Sequence, residues 1–163
     1  MKRLIICLTL LVASLGGVAA KEVPVDRALQ IASQLLGETT RGGALSVVWD
    51  SSALANTRSG GDAPTFYVVA PESAPGFVIV AGDDAITPIL AYSTRYSAPS
   101  ASVLPPNFEE WLNYVDLSVR YVRDRGIVAD AATQQLWSEG YEPVDAIMLN
   151  TARWSQLAPY NNE

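Results

Sequence analysis

The side chains best suited to acid–base chemistry in this sequence are carboxylates. The 163 residues include no histidine, and the single cysteine is Cys7. Two pairs of adjacent acidic residues stand out, Asp83–Asp84 and Glu109–Glu110. Because two carboxyl groups can act as general acid and general base in hydrolysis, these pairs are the candidates for a catalytic site.

Both acidic pairs also suit ordinary structural positions. Asp83 and Asp84 follow a glycine at the end of an apolar run, where a turn favours small polar residues. No further oxygen ligands follow at the spacing of a calcium loop. Glu109 and Glu110 fall at the start of a predicted helix, where acidic residues are common. We therefore predict that this chain is not itself an enzyme, and we expect neither a cofactor nor a metal site.

Other catalytic classes are excluded by the same inventory. Without histidine the chain cannot build a serine–histidine–aspartate triad or a cysteine–histidine pair, and it lacks the ligands that zinc sites favour. Lys21 is the one lysine beyond the first twenty residues. It lies at the predicted new N-terminus, so a buried serine–lysine dyad is not expected.

The first twenty residues have the pattern of a secretory signal peptide. Lys2 and Arg3 precede an apolar run, and Val18 and Ala20 are small residues at the positions that signal peptidase reads. A retained membrane helix is less suitable, because polar residues and two glycines interrupt the run. The sequence predicts cleavage after Ala20 and a secreted or periplasmic product.

The predicted mature chain is acidic. Eleven basic residues less the two in the leader leave nine against 17 acidic ones, a net charge of −8, and the single cysteine is lost with the leader. Such a domain has no disulfide, and its charge argues against nucleic acid or an anionic membrane as a partner. The full sequence has 49% hydrophobic residues, enough for the domain to bury a core.

The hydrophobic pattern of the sequence predicts an α+β domain, with about four antiparallel strands packed against two or three helices. These helices and strands would position the acidic pairs. A first helix is predicted from Asp26, as its cap, to Gly37, as its stop. Strands are predicted at "ALSVVWDSS", at the hairpin "TFYVVAP" and "GFVIVAG", and at Ile89–Ser93. A polar loop is predicted over 53–63. We expect the helices to cover one face of the sheet.

A long amphipathic helix is predicted after the linker "SAPSASVLPP". Asn107 fits its N-cap, with Glu110 completing a pair that resembles a capping box. Its apolar face contains Phe108, Trp111, Leu112, Val115, Val119 and Val122. Arginines gather near its end, before Gly126, and a shorter helix is predicted over 129–137.

Several segments together resemble a known family. The stretches "GFVIVAGDDAITPILAYST", "LPPNFEEWLNYV" and "PVDAIMLNTARWSQLAPYNN" occur in this order. They are similar to the prosegment of streptopain-like cysteine proteases, family C10, which is also called the Spi protease inhibitor domain. The resemblance extends from about the first helix to the end of the chain.

This resemblance implies a division of the chain and a partner. Residues 21–140 would be the prosegment, and 141–163 the first strip of a cysteine protease catalytic domain whose remainder is missing, so that the chain is a fragment or the product of an interrupted frame. In such zymogens the prosegment blocks the catalytic cleft, in cis or in trans. By position, Asn107 would enter that cleft, with Pro105 and Pro106 stiffening its approach.

Alternatives remain open at this point. Asn107 could simply cap its helix. The chain could be a free-standing secreted inhibitor, or an adhesion or scaffold module that uses its acidic surface and aromatic ending. In the terminal strip, Trp154, Tyr160 and Asn161 are candidate partner contacts, although the two aromatic residues could instead pack on the domain itself.

Overall fold

A computed structural model describes residues 21–40, 43–54 and 63–140. The predicted signal peptide and the strip that contains Trp154, Tyr160 and Asn161 lie outside the described residues, as does most of the predicted polar loop.

The described chain forms an α+β domain, as the sequence predicted. The elements, in order, are α1 (Val25–Thr40), β1 (Leu45–Asp50), a 3-10 turn (Ser51–Ala53), β2 (Phe66–Pro71), β3 (Phe77–Ala81), β4 (Ile89–Ser93), α2 (Pro106–Arg125) and α3 (Ala131–Glu139). The four strands form one sheet in the order β1-β2-β3-β4, and every neighbouring pair is antiparallel. All four predicted strands are therefore confirmed, and β4 has the predicted bounds.

Helices cover both faces of the sheet, so the prediction of a single covered face is wrong. Tyr67 and Val69 of β2 belong to a cluster with α1 and with Trp137 of α3. Phe66 and Val68 alternate with them and pack in a second cluster against α2. Every residue of β2 is buried, which is why its sequence is an uninterrupted apolar run without alternation.

A bulge in β1 turns one side chain to the α2 side of the sheet. The pairing of β1 with β2 shifts between Val47 and Trp49. Val47 packs against the α1 cluster, whereas Trp49 packs against the α2 cluster and meets Phe66 edge-on, with ring centroids 5.8 Å apart. In a regular strand these two residues would share a face, so the extra residue, Val48, re-aims Trp49.

The ends of α1 differ from those predicted. The carbonyl of Pro24 accepts hydrogen bonds from the amides of Arg27 and Ala28, so the helix begins one residue before Asp26. Asp26 lies within the first turn, where its charge suits the helix dipole. Gly37 does not stop the helix, which continues to Thr40. A glycine inside a helix costs about 1 kcal/mol, and the packing of the buried apolar face of α1 offsets that cost.

The start of α2 also corrects a prediction. Pro105 is its N-cap, Pro106 is the first helical residue, and no side chain caps the helix. Asn107 is thus the second helical residue rather than the N-cap, because a proline has a φ suited to the first position and no N–H to satisfy. The predicted stop is confirmed: Gly126 has a left-handed φ of 60° and donates its N–H to the carbonyls of Arg123 and Val122.

The last helix, α3, is capped and fixed to the sheet. Asp130 accepts a hydrogen bond from the Thr133 amide at 2.7 Å, and bonds from Thr133 lower the pKa of its carboxyl. Trp137 is buried and donates its indole N–H to the Ile86 carbonyl at 2.8 Å. These contacts place α3 two residues later than predicted and attach it to the α1 side of the sheet.

A partly buried arginine joins α2 to the sheet. The guanidinium of Arg123 contacts Asp83 Oδ2 at 3.1 Å and donates to the carbonyls of Ala63, Pro64 and Gly82 at 2.7–3.0 Å. Asp83 is fully buried. A Cβ on Gly82 would collide with the Pro64 carbonyl, so only glycine allows the two chain segments to approach closely enough to share one guanidinium.

A second polar contact joins the same elements. The buried hydroxyl of Thr65 donates to Asp116 Oδ1 at 2.6 Å, and Arg120 contacts Asp116 Oδ2 at 2.9 Å. The amide of Thr65 also donates to the Ser51 hydroxyl at 2.9 Å. Every buried side-chain polar atom in the described part of the chain has a hydrogen-bond partner. The orientation of α2 is therefore set by directional bonds as well as by apolar packing.

We predict that Arg123→Met will lower the free energy of unfolding by about 3 kcal/mol, because it leaves the Asp83 carboxylate buried without its counter-charge. Urea unfolding followed by circular dichroism measures this. The matched control is Arg125→Met, which removes an exposed arginine from the same helix and should cost about 1 kcal/mol or less, since its contact is with the Tyr121 ring. Equal losses of unfolding free energy in the two variants would contradict the role of Arg123 as the counter-charge of Asp83.

Candidate functional site

The two acidic pairs lie in the turn after β3 and in the first turns of α2. Asp83 is buried, and its carboxylate is held by Arg123 and by the Ala85 amide. Asp83 lies in the predicted turn, but the sequence pattern did not predict its ion pair with Arg123. Glu109 and Glu110 lie in the first turns of α2, and Glu110 is exposed. Because Asp83 is buried and bound to Arg123 and the Ala85 amide, it is not accessible to a substrate.

The described residues also offer no group of three or more metal-binding side chains. Among the helices described, none combines the length and apolar character that crossing a membrane requires.

The most distinctive exposed feature is the segment that connects β4 to α2, residues 94–105. It is tied to the sheet near its start, where the Tyr96 carbonyl accepts from the Gly76 amide at 3.1 Å and the Tyr96 amide donates to the Ser93 hydroxyl at 3.0 Å. In its middle, the Trp49 indole donates to the Pro99 carbonyl at 2.8 Å. Although the segment has no regular secondary structure, these hydrogen bonds fix its backbone conformation.

The end of this segment and the start of α2 lie between two apolar anchors. Leu104 on one side, and Phe108 with Trp111 on the other, are partly buried against the α2 cluster. The rings of Phe108 and Trp111 stack with centroids 5.6 Å apart. Between the anchors, Pro105, Pro106 and Asn107 are all exposed. We call these three residues the Pro-Pro-Asn ridge.

The backbone of the ridge is rigid. Pro105 has φ −58° and ψ 138°, an extended conformation, and its carbonyl accepts from the amides of Phe108 at 2.9 Å and Glu109 at 3.0 Å. The rings of Pro105 and Pro106 fix φ at two successive positions. The ridge therefore loses little conformational entropy when a partner binds it.

Asn107 presents its polar groups outward at the end of the ridge. Its side chain is exposed and does not cap α2. At the second helical position its backbone N–H has no acceptor within the helix. A carboxamide supplies both donors and acceptors, so this residue can form several hydrogen bonds to a partner's backbone.

The exposed side of α2 continues from the ridge as an apolar stripe. Tyr114, Leu117 and Tyr121 have exposed fractions of 69%, 66% and 56%. We call these three residues the α2 stripe. Asn107, Tyr114 and Tyr121 are spaced by seven residues, so they lie on one face of the helix, opposite its buried valines.

The structure thus brings together the three predicted residues Pro105, Pro106 and Asn107 on one exposed ridge. The predicted contacts Trp154, Tyr160 and Asn161 lie outside the described residues. Sequence reasoning missed the α2 stripe, although aromatic residues at helical spacing on the polar side of an amphipathic helix are a readable signal. It also missed the role of Trp49, which depends on a bulge and leaves no local pattern.

Comparisons with known proteins give one finding. Residues 20–119 match the family model described as Spi protease inhibitor, a range that includes α1, the sheet, the connecting segment and most of α2. Neither the curated proteins nor the solved structures gave a match.

We predict that Trp49→Phe will loosen the connecting segment, because the Pro99 carbonyl loses its donor. Amide hydrogen exchange at Val103, whose N–H donates to the Ser100 carbonyl, should become faster, while global stability falls by about 1 kcal/mol. Trp137→Phe is the matched control, since it removes an equivalent indole bond from α3. If both substitutions change Val103 exchange equally, Trp49 does not hold the segment.

Proposed function

The chain belongs to the Spi protease inhibitor family, and on that basis we propose that its folded domain is the inhibitory propeptide of a streptopain-like cysteine protease. The domain keeps the protease latent by occupying its active-site cleft. The observation that supports this proposal best is the Pro-Pro-Asn ridge, which is exposed, rigid and fixed at both ends to the core.

The geometry of the ridge supports occlusion of the cleft. A protease cleft binds extended backbone, and the extended Pro105 leads directly to the outward-facing groups of Asn107. A preorganised segment inhibits well because little ordering entropy opposes its binding. Neither proline carries a backbone N–H, so Asn107 supplies the first backbone and side-chain donors that a cleft could engage.

The α2 stripe supplies a second contact with the same protease. Asn107 and Tyr114 lie on one helix face, about 10 Å apart along the axis. A protease that binds Asn107 in its cleft would therefore also cover the α2 stripe. Tyrosine and other aromatic side chains are enriched at protein interfaces. We assign this surface to an apolar patch of the protease beside its cleft, and the exposed side chains of Tyr114, Leu117 and Tyr121 provide the complementary area.

The proposal extends to processing and location. Residues 1–20 direct export and are removed, 21–140 form the prosegment, and 141–163 begin a cysteine protease catalytic domain. The protease supplies all of the chemistry. The prosegment acts in cis when the two are joined, and it also binds the separated mature protease in trans.

The central test measures inhibition in trans. The chain is added to purified mature streptopain-like cysteine proteases, and hydrolysis of a fluorogenic peptide is followed. We expect inhibition, and we predict that Asn107→Ala will raise the inhibition constant at least about tenfold because it truncates the residue at the centre of the contact. Stability should change little, since Asn107 does not cap α2.

The matched control is Gln135→Ala, which removes an exposed amide from α3, on the α1 side of the sheet. It should leave the inhibition constant unchanged. Full inhibition by a folded Asn107→Ala variant would remove Asn107 from the mechanism, and failure of the unaltered chain to inhibit any of these proteases would remove the proposed function.

A second prediction concerns the α2 stripe. The double variant Tyr114→Ala/Leu117→Ala should weaken inhibition about tenfold or more, with the effect mainly on dissociation. Both side chains are exposed on a helix, where alanine is favourable, so the thermal midpoint should not fall. Dissociation rates by surface plasmon resonance give the measurement.

The control for the stripe is Tyr96→Ala/Ile127→Ala, which removes exposed apolar groups outside it. Equal weakening by the two double variants would show that general surface hydrophobicity, rather than the α2 stripe, carries the contact.

A further inference from the structure

The start of the described chain pairs with the turn between β3 and β4. The backbone N–H of Lys21 donates to Asp84 Oδ1 at 2.8 Å, and the Asp84 amide donates to the Lys21 carbonyl at 3.1 Å. The Val23 amide donates to the Gly82 carbonyl at 3.0 Å. The segment 21–23 therefore adds a short antiparallel stretch beside residues 82–84.

This stretch is anchored in the core. Val23 is buried, and its carbonyl accepts a hydrogen bond from the Tyr67 hydroxyl at 2.8 Å. Burial raises the pKa of that phenol, which keeps the donating proton in place. The position of the Lys21 nitrogen is thus fixed by bonds that do not depend on the residues before it.

The nitrogen that contacts Asp84 is the one that signal cleavage would release. Hydrolysis of the bond between Ala20 and Lys21 places the hydroxyl of water on the Ala20 carbonyl carbon, and the nitrogen takes up protons to become an α-ammonium. That group carries a positive charge at neutral pH and three donors instead of one. A hydrogen bond from a neutral amide would become a charge-assisted ion pair.

We propose that Asp84 is the binding site for the new N-terminal amine of the processed chain, so that removal of the leader itself tightens the fold. The inference rests on the export and cleavage proposed above, and it does not depend on protease inhibition. It gives the two adjacent acidic residues separate roles: Asp83 holds Arg123 within the core, and Asp84 holds the chain terminus at the surface.

The surroundings of Asp84 leave it available for this role. Arg27 lines the same cavity, of about 260 Å³, but its guanidinium donates to Gln30 and to the Trp137 carbonyl. Arg123 is occupied by Asp83 and by backbone carbonyls. The cavity also leaves room for water to accept the remaining ammonium protons.

The first experiment locates the processed end. The full chain is expressed in a bacterium that exports it, and the N-terminus of the exported product is determined by mass spectrometry. Lys21 is the expected first residue. A product that begins at another residue would overturn the proposal, because its amine could not occupy the position beside Asp84.

The second experiment isolates the ion pair. Thermal unfolding is compared for chains that begin at Lys21 and chains that carry one extra glycine before it, which displaces the amine but keeps the Lys21 amide. The chain that begins at Lys21 should unfold about 1–4 °C higher, and high salt should reduce the difference. In Asp84→Asn chains the difference should disappear.

Asp26→Asn is the matched control, because it removes an exposed acid from the first turn of α1, five residues after Lys21; it should preserve the difference. The proposal fails if the glycine has no effect in the unaltered chain, or if its effect is the same in Asp84→Asn. The readout is unfolding, so a chain that passes this test but inhibits no protease would refute the proposed function alone.

Discussion

The fold depends on the side chain of Arg123 more than on any other polar group described. One guanidinium joins the end of α2, the entry to β2 and the turn after β3, through Asp83 and the carbonyls of Ala63, Pro64 and Gly82. Apolar packing alone would let α2 slide or rotate on the sheet, since that attraction is non-directional. Directional bonds to a buried carboxylate fix one orientation.

That orientation matters because α2 carries the candidate functional surface. Its C-terminal end is held by Arg123, while its N-terminal end is held by the partly buried Leu104, Phe108 and Trp111. A helix of 20 residues, about 30 Å long, is therefore fixed at both ends. The ridge and the α2 stripe then form one rigid surface. A rigid inhibitor binds more tightly, because less conformational entropy is lost when it binds.

The predicted strands were correct because their signals are local: short runs of β-branched and aromatic residues, separated by turn residues. The errors arose where a neighbouring proline or tertiary packing overrides a local signal. The sequence pattern offered Asn107 as an N-cap, but the proline before it took the first helical position. Gly37 read as a helix stop, yet the packing of the buried apolar face of α1 outweighs the cost of a glycine within the helix.

The sequence by itself determined the class of fold, the absence of histidine chemistry and the family resemblance, because these follow from composition and from patterns a few residues long. Only the tertiary structure decided that both sheet faces are covered, that Asp83 meets Arg123 across 40 residues and that Asp84 faces the Lys21 nitrogen. Pairings of this kind are fixed by how separate segments pack, and no local pattern of residue types encodes which distant partner a charge will meet.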